Sequence, residues 1–244
     1  MKVTYIGHSG FSVELKDCVF IFDYYKGELP EFSKEKAIYF FASHKHQDHF
    51  SHDIFRLGSD YPKVTYVLSN DIKMSDKYME RQGIAKEVKD KILYVHKEET
   101  VALTENIQVE TIRSTDEGVA FMITYKEDGG KTTSIYHAGD LNWWTWIGES
   151  QEEYSKMTRA FEDSMKHCEE REFDLAMVPL DPRQEDRFWW GFDYFMKVAK
   201  VKHAIPMHCW DDYSVIPRLI KMEESKDYRD KIVTVTKNGE VYEF

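Results

Sequence analysis

The 244-residue chain is 42% apolar and 15% aromatic, enough for one sizeable core or two small ones. With 33 basic and 44 acidic residues its formal net charge is −11, a field that repels polyanions and argues against nucleic acid as a partner. No apolar run reaches the roughly 18 residues of a membrane span, no leader-like apolar stretch opens the sequence, and Cys18, Cys168 and Cys209 are too few and too scattered for a disulfide framework or a paired-thiolate zinc site. These features lead us to expect a single cytoplasmic domain over residues 1–244 that does not touch a membrane.

In chain order, Lys2 to Gly7, Phe11 to Leu15 and the apolar run Cys18 to Phe22 read as strands, the last ending on the carboxylate of Asp23. Ala37 to Ala42 is a fourth, and Ser51 is placed to cap a short helix stopped by Gly58. Val64 to Leu68 is read as a strand and Ser75 to Gln82 as a helix. Several strands fill Ile92 to Tyr125, and Thr132 to His137 continues them. Ser150 and Glu153 form a capping box for a helix that should reach about His167. Strand and helix then alternate: Phe173 to Val178, Gly191 to Lys200, His203 to Met207, Ser214 to Glu223. Asn238-Gly239 between Ile232 to Thr236 and Glu240 to Phe244 predicts a closing hairpin. Strand clusters followed by alternation predict sheets covered by helices, in layers.

The densest chemistry is Ser43-His44-Lys45-His46-Gln47-Asp48-His49, three imidazoles and a carboxylate directly after a strand. On an extended segment His44 and His46 share a face and can reach one ion, while the turn toward Ser51 re-aims Asp48 and His49 to a second position. Neutral imidazole and carboxylate suit Zn²⁺, Mn²⁺ or Fe²⁺, so one or two divalent transition metals are expected.

These residues resemble the metallo-β-lactamase superfamily, whose signature His-x-His-x-Asp-His is matched by His44, His46, Asp48 and His49. The resemblance runs over about residues 1 to 210: Asp23 stands for the aspartate that ends an early strand, Asp140 in His137-Ala138-Gly139-Asp140 for the metal-bridging aspartate, and His208 for the late histidine. Tyr5-Ile6-Gly7-His8-Ser9-Gly10-Phe11 is similar to the start of the lactonase-like branch, which contains ascorbate-6-phosphate lactonase and many metal-dependent hydrolases. What this implies is an α/β (α+β) fold, the four-layered αββα sandwich, with His44 and His46 on a first metal, Asp48, His49 and His208 on a second, and Asp140 between them. Asp48 also takes the catalytic role of orienting the attacking hydroxide.

One motif departs. Where the family supplies a histidine as the third ligand of the first metal, this chain reads Ile112-Arg113-Ser114-Thr115-Asp116-Glu117-Gly118. Either Asp116 substitutes, ahead of Glu117 for its place in the motif and its shorter arm, or the first metal is weakly held and the protein works with one. The resemblance also puts His8 beside the metals as a substrate contact. Six tryptophans lie near the late motifs, and three of them within four residues cannot all face inward, so Trp143 is a candidate pocket residue. Arg183 in Asp181-Pro182-Arg183 is either half of an exposed turn pair or a fork for a substrate anion. The function expected is hydrolysis of a small ester, lactone, amide or phosphoester, with a small molecule, anionic if Arg183 serves it, as partner. The alternatives are a catalytically impaired metal- or small-molecule-binding module and a nuclease, the latter opposed by charge.

Overall fold

The computed structural model describes residues 1–244, which divide into two compact units, residues 1–96 with 238–244 and residues 97–237. The first unit is built on β1 (Lys2–Gly7), β2 (Gly10–Glu14), β3 (Cys18–Phe22), β4 (Ala37–Ala42), α1 (Asp53–Gly58), β5 (Val64–Ser69), α2 (Asp76–Arg81), β6 (Ile92–Val95) and, from the far end of the chain, β13 (Glu240–Glu243). Its seven-stranded sheet runs β13-β1-β2-β3-β4-β5-β6. The strands β3 to β6 are parallel, and β13, β1 and β2 join antiparallel.

Strand β3 is apolar at every position because both faces are covered, the composition expected of the parallel centre of a sheet. One face carries Val19, Ile21, Ile38, Phe40, Tyr66 and Leu68 against Ile54 and Phe55 of α1 and Met79 of α2. On the opposite face Phe20, Phe22 and Phe41 form a second buried layer, with Phe22 and Phe41 stacked at 5.1 Å. Each fully buried ring of this kind contributes roughly 1.5–3 kcal/mol over leaving it exposed.

The second unit contains β7 (Thr100–Thr104), β8 (Ile107–Arg113), β9 (Val119–Lys126), β10 (Thr132–His137), α3 (Gln151–Met165), β11 (Glu172–Pro179), α4 (Trp190–Val198), β12 (Lys200–Met207) and α5 (Val215–Lys221). Its six-stranded sheet runs β12-β11-β10-β9-β8-β7, parallel through β10, β11 and β12 and antiparallel beyond. The capping box of α3 forms as the sequence predicts: Glu153 N–H donates to Ser150 Oγ, and Ser150 N–H donates to Glu153 Oε2. No helix is long and apolar enough to cross a membrane.

One expectation is corrected. The closing hairpin does not form: residues 240–243 pair antiparallel with Lys2–Tyr5, whereas Ile232 makes a parallel bridge to Ala204 in the other unit. The Asn-Gly pair marks a turn, but the backbone groups of the β1 edge and of Ala204 are the better partners, with Gly239 N–H on Tyr5 O and Val233 N–H on Ala204 O.

All three cysteines are buried and reduced. Burial pushes the thiols of Cys18 and Cys168 from 9.0 up to about 12, and Cys209 rises likewise. Native protein should therefore be inert to a disulfide reagent near about pH 8 and expose three thiols only on unfolding. Raised thiol pKa values stabilise the fold fully below 9.0, and that contribution is lost as pH climbs toward about 12. The melting temperature should fall across this window, less steeply in Cys18→Ala, and a fast-reacting native thiol would contradict this account.

Candidate functional site

Parallel strands deliver their following loops to one edge of a sheet, and each unit uses this to gather its own donors. In the first unit β3 and β4 are parallel neighbours, so Asp23 and the Ser43–His49 loop emerge side by side. Asp23 is fully buried. Its Oδ1 accepts from Ser43 N–H at 2.7 Å, and its Oδ2 accepts from Ser43 Oγ at 2.6 Å and from His49 Nδ1 at 2.7 Å. The Ser43 hydroxyl spends its one proton on Asp23 and so accepts from His44 Nδ1 at 2.9 Å. These bonds fix the tautomers of His44 and His49, each presenting Nε2 as a lone-pair donor.

His44 Nε2 lies 2.9 Å from His46 Nδ1. A turn closed by His49 N–H and Phe50 N–H on His46 O re-aims the chain as the spacing suggests. His8 Nε2 and His49 Nε2 face Asp48 Oδ2 at 3.3 and 3.9 Å. Burial acts to raise the Asp48 carboxyl, but the hydrogen bond from His8 and the charge of His49 outweigh it and hold the group well below the usual carboxylate range. His8 is held by the Tyr5 hydroxyl, which donates to its carbonyl.

In the second unit the parallel run β10-β11-β12 presents Asp140, Asp181 and His208 in the same manner. His208 Nε2 faces Asp140 Oδ1 at 3.3 Å, and its Nδ1 is bonded to Asp181 Oδ2 at 2.9 Å. Asp181, fully buried, also receives Arg183 through Nε at 3.0 Å and Nη2 at 2.6 Å, and Trp210 Nε1 at 3.3 Å. Burial pushes its carboxyl up, yet the bonds from His208 and Arg183 prevail and lower it. Asp116 is exposed on the loop after β8, with its carboxylate within 4.8 Å of that of Asp140. Thr115 ties this loop to the Asp140 segment by donating to Asn142 O at 2.6 Å. Gly191 makes the close approach of Asn142 possible, since a Cβ there would collide with the Asn142 side chain.

The structure thus brings His8, His44, His46, Asp48 and His49 together in one unit and Asp116, Asp140 and His208 in the other. Trp143 sits elsewhere in its surroundings: it stacks on Phe161 of α3 at 5.6 Å and donates to Thr158. The rings beside His208 are Trp144 and Trp210, at 5.5 and 5.6 Å. Arg183 spends two of its donors on Asp181 and lies 4.4 Å over Trp210. In the sequence Asp181 stands in a turn with Pro182 and Arg183. Its position at the end of an apolar strand, the same signal that singles out Asp23, marks it.

The donor set fits a divalent transition metal. Imidazoles whose far nitrogen is clamped by a carboxylate or hydroxyl, and carboxylates kept ionised, are the ligands such ions take, and the clamps raise ligand basicity and fix ring orientation.

No family model and no curated protein matches the sequence. Solved structures do match in fold. Igni18, a metallo hydrolase from the archaeon Ignicoccus hospitalis, aligns over 100% of this chain and 98% of its own at a TM-score of 0.61 and 17% identity. Zn²⁺-bound PqqB from Methylobacterium extorquens covers 100% of both chains at 0.51 and 11%. CmlA, a diiron β-hydroxylase from Streptomyces venezuelae, matches 85% of this chain with 44% of its own at 0.52 and 13%. With its two mixed sheets and flanking helices, the chain has the metallo-β-lactamase fold.

Asp23→Asn keeps size but removes the charge that holds Ser43 and His49. Metal affinity, measured by competition with a chromophoric chelator, should drop about 10- to 100-fold while the circular dichroism spectrum stays native. Unchanged affinity would deny Asp23 its orienting role.

Proposed function

We propose that this protein is a metal-dependent hydrolase of a small ester, lactone, amide or phosphoester. One or two divalent ions (Zn, Mn or Fe) would be held by His44, His46, Asp48, His49, Asp116, Asp140 and His208. The observation that carries the reading is the triple clamp: His44 on Ser43, His49 on Asp23 and His208 on Asp181, each imidazole fixed at Nδ1 so that Nε2 is the atom offered. Such far-side bonds are characteristic of ligating histidines. The metallo hydrolase and the zinc-bound protein among the fold neighbours support it. The lactonase-like branch is supported by the Tyr5 to Phe11 stretch alone.

A bound divalent cation supplies Lewis acidity and brings the pKa of water toward neutrality. The protein's own part is positional. Asp48, kept ionised by His8 and His49, accepts a hydrogen bond from the attacking water and orients it. Asp181 keeps His208 in the tautomer that offers Nε2. A small molecule is favoured over a nucleic acid because several phosphates need several cations on one face, and the segments around the motifs offer few, such as Lys45, Arg113 and Arg183, in a chain of net charge −11. A second reading, a binding module without turnover, is favoured by one observation: the stand-in for the family's third-motif histidine is Asp116, an exposed carboxylate on a surface loop.

Metal analysis and a substrate panel test these together. Wild-type protein should carry metal, and His46→Ala or Asp140→Ala should purify clearly depleted. Lactones, esters and small phosphoesters should be turned over by the wild type and not by His46→Ala, with structured RNA and single-stranded DNA untouched. Full occupancy in both variants would sink the ligand assignment, bound metal with an inert panel would favour the binding module, and metal-dependent cleavage of nucleic acid alone would overturn the substrate class.

A further inference from the structure

The second unit carries a continuous array of rings at the carboxyl end of β12. Trp146 stacks on Trp144 at 6.1 Å with planes 6° apart, Trp144 leans on His208 at 5.5 Å, Trp210 meets His208 edge-on at 5.6 Å, and the Arg183 guanidinium lies 4.4 Å above Trp210. Trp144 is buried, but Trp146 is 39% exposed, Trp210 45% and the adjoining Ile147 58%. Single exposed apolar residues are ordinary. Here two of the six large apolar side chains exposed in the whole chain join the rings around one histidine of the candidate metal-binding set, Trp210 directly and Trp146 through Trp144, and a third, Ile147, follows Trp146 in sequence.

Their placement is held in two independent ways. His208, Trp210 and Asp211 all adopt left-handed backbone, at φ of 62°, 51° and 61°, which non-glycine residues occupy only when surrounding structure imposes it. This conformation brings the Trp210 ring back against His208, and its Nε1–H on Asp181 and the guanidinium of Arg183 keep it there. On the other side the backbone of Trp146 is pinned at both ends, N–H on Glu149 Oε1 at 3.1 Å and carbonyl under Arg187 Nη1 at 3.0 Å, with Arg187 and Glu149 themselves paired at 2.8 Å. Rigid aromatic faces open to solvent lose little entropy when a flat partner lies on them.

We propose that Trp146, Ile147 and Trp210 form the recognition surface for a planar aromatic group of the substrate, so that the substrate class is an aryl-bearing ester, lactone or amide. The hydrolase reading enters only in taking the bound molecule for a substrate. The flatness of the stacked Trp144–Trp146 pair selects an aromatic ring over an aliphatic one of equal bulk, and no neighbouring lysine track invites a polyanion.

The test separates binding from turnover. Phenylacetate and cyclohexylacetate share a carboxylate and nearly the same bulk and differ in flatness, so their dissociation constants on metal-loaded protein, read by isothermal titration, isolate the ring. Wild type should prefer phenylacetate about fivefold or more. Trp146→Ala and Trp210→Ala should each erase most of that preference, and Trp146→Phe should restore it. Equal affinity for the two acids in the wild type, or an undiminished preference in both alanine variants, overturns the proposal. So does a wild-type dimer, seen by sedimentation, that Trp146→Ala converts to monomer while no ring preference is found, because the patch then belongs to a second copy of the chain. Ring preference alongside an inert hydrolysis panel supports the surface and counts against the hydrolase reading alone; a productive panel without ring preference does the reverse.

Discussion

Burying an ionised carboxylate costs several kcal/mol unless charge-assisted hydrogen bonds replace its water. Asp23 and Asp181 are both fully buried, and each accepts from several donors: a backbone N–H, a hydroxyl and an imidazole for Asp23, and a backbone N–H, an imidazole, a guanidinium and an indole for Asp181. In return they dictate how the histidines stand. Once Asp23 has taken the protons of Ser43 and His49, neither His44 nor His49 has freedom of tautomer, and the remaining donors of that loop are arranged around atoms already fixed. The two units thus solve the same problem with the same device, a strand-end aspartate next to a parallel neighbour.

Strain tells the same story. Eight non-glycine residues have positive φ, and five of them, His8, Asp23, His208, Trp210 and Asp211, belong to the donor segments or their immediate surroundings. Each costs of order 1–3 kcal/mol and persists because the hydrogen bonds and packing around it over-determine the backbone. The aspartate networks supply that constraint: Asp23, whose backbone is held in the left-handed region, is the residue whose carboxylate accepts three bonds from the Ser43–His49 loop. Geometry and strain are therefore coupled at the point where chemistry needs fixed atoms.

The local features were legible in the sequence because their causes are local. The run from His44 to His49 needed only the alternation of an extended segment and one turn, and Ser150 with Glu153 closes within a single helical turn. The Asp181 network was not legible, because its partners Arg183, His208 and Trp210 include residues about a strand and a helix away, and only the parallel register of β11 and β12 brings them together. Tryptophan composition pointed to a segment yet could not choose among neighbours. Trp143 packs with Phe161 and Thr158 while the next residue reaches His208, a difference set by which side of the loop faces α3. The closing hairpin failed for a related reason: a turn signal states that the chain reverses, not which edge it then joins.

That edge has a consequence for how the chain is made. Strand β13 lies on β1, with Met1 N donating to Phe244 O and Phe244 N–H to Met1 O, both at 2.9 Å. During synthesis the first unit emerges early, but the strand that covers β1 leaves the ribosome only after residues 97–237 have been translated. Until then β1 is an unpaired edge, open to pairing with another nascent chain, and its closure needs contact between residues at opposite ends of the sequence. Cotranslational closure of the first sheet therefore waits on the second unit, because the outer edge of β1 meets its partner only after residues 97–237 have been made.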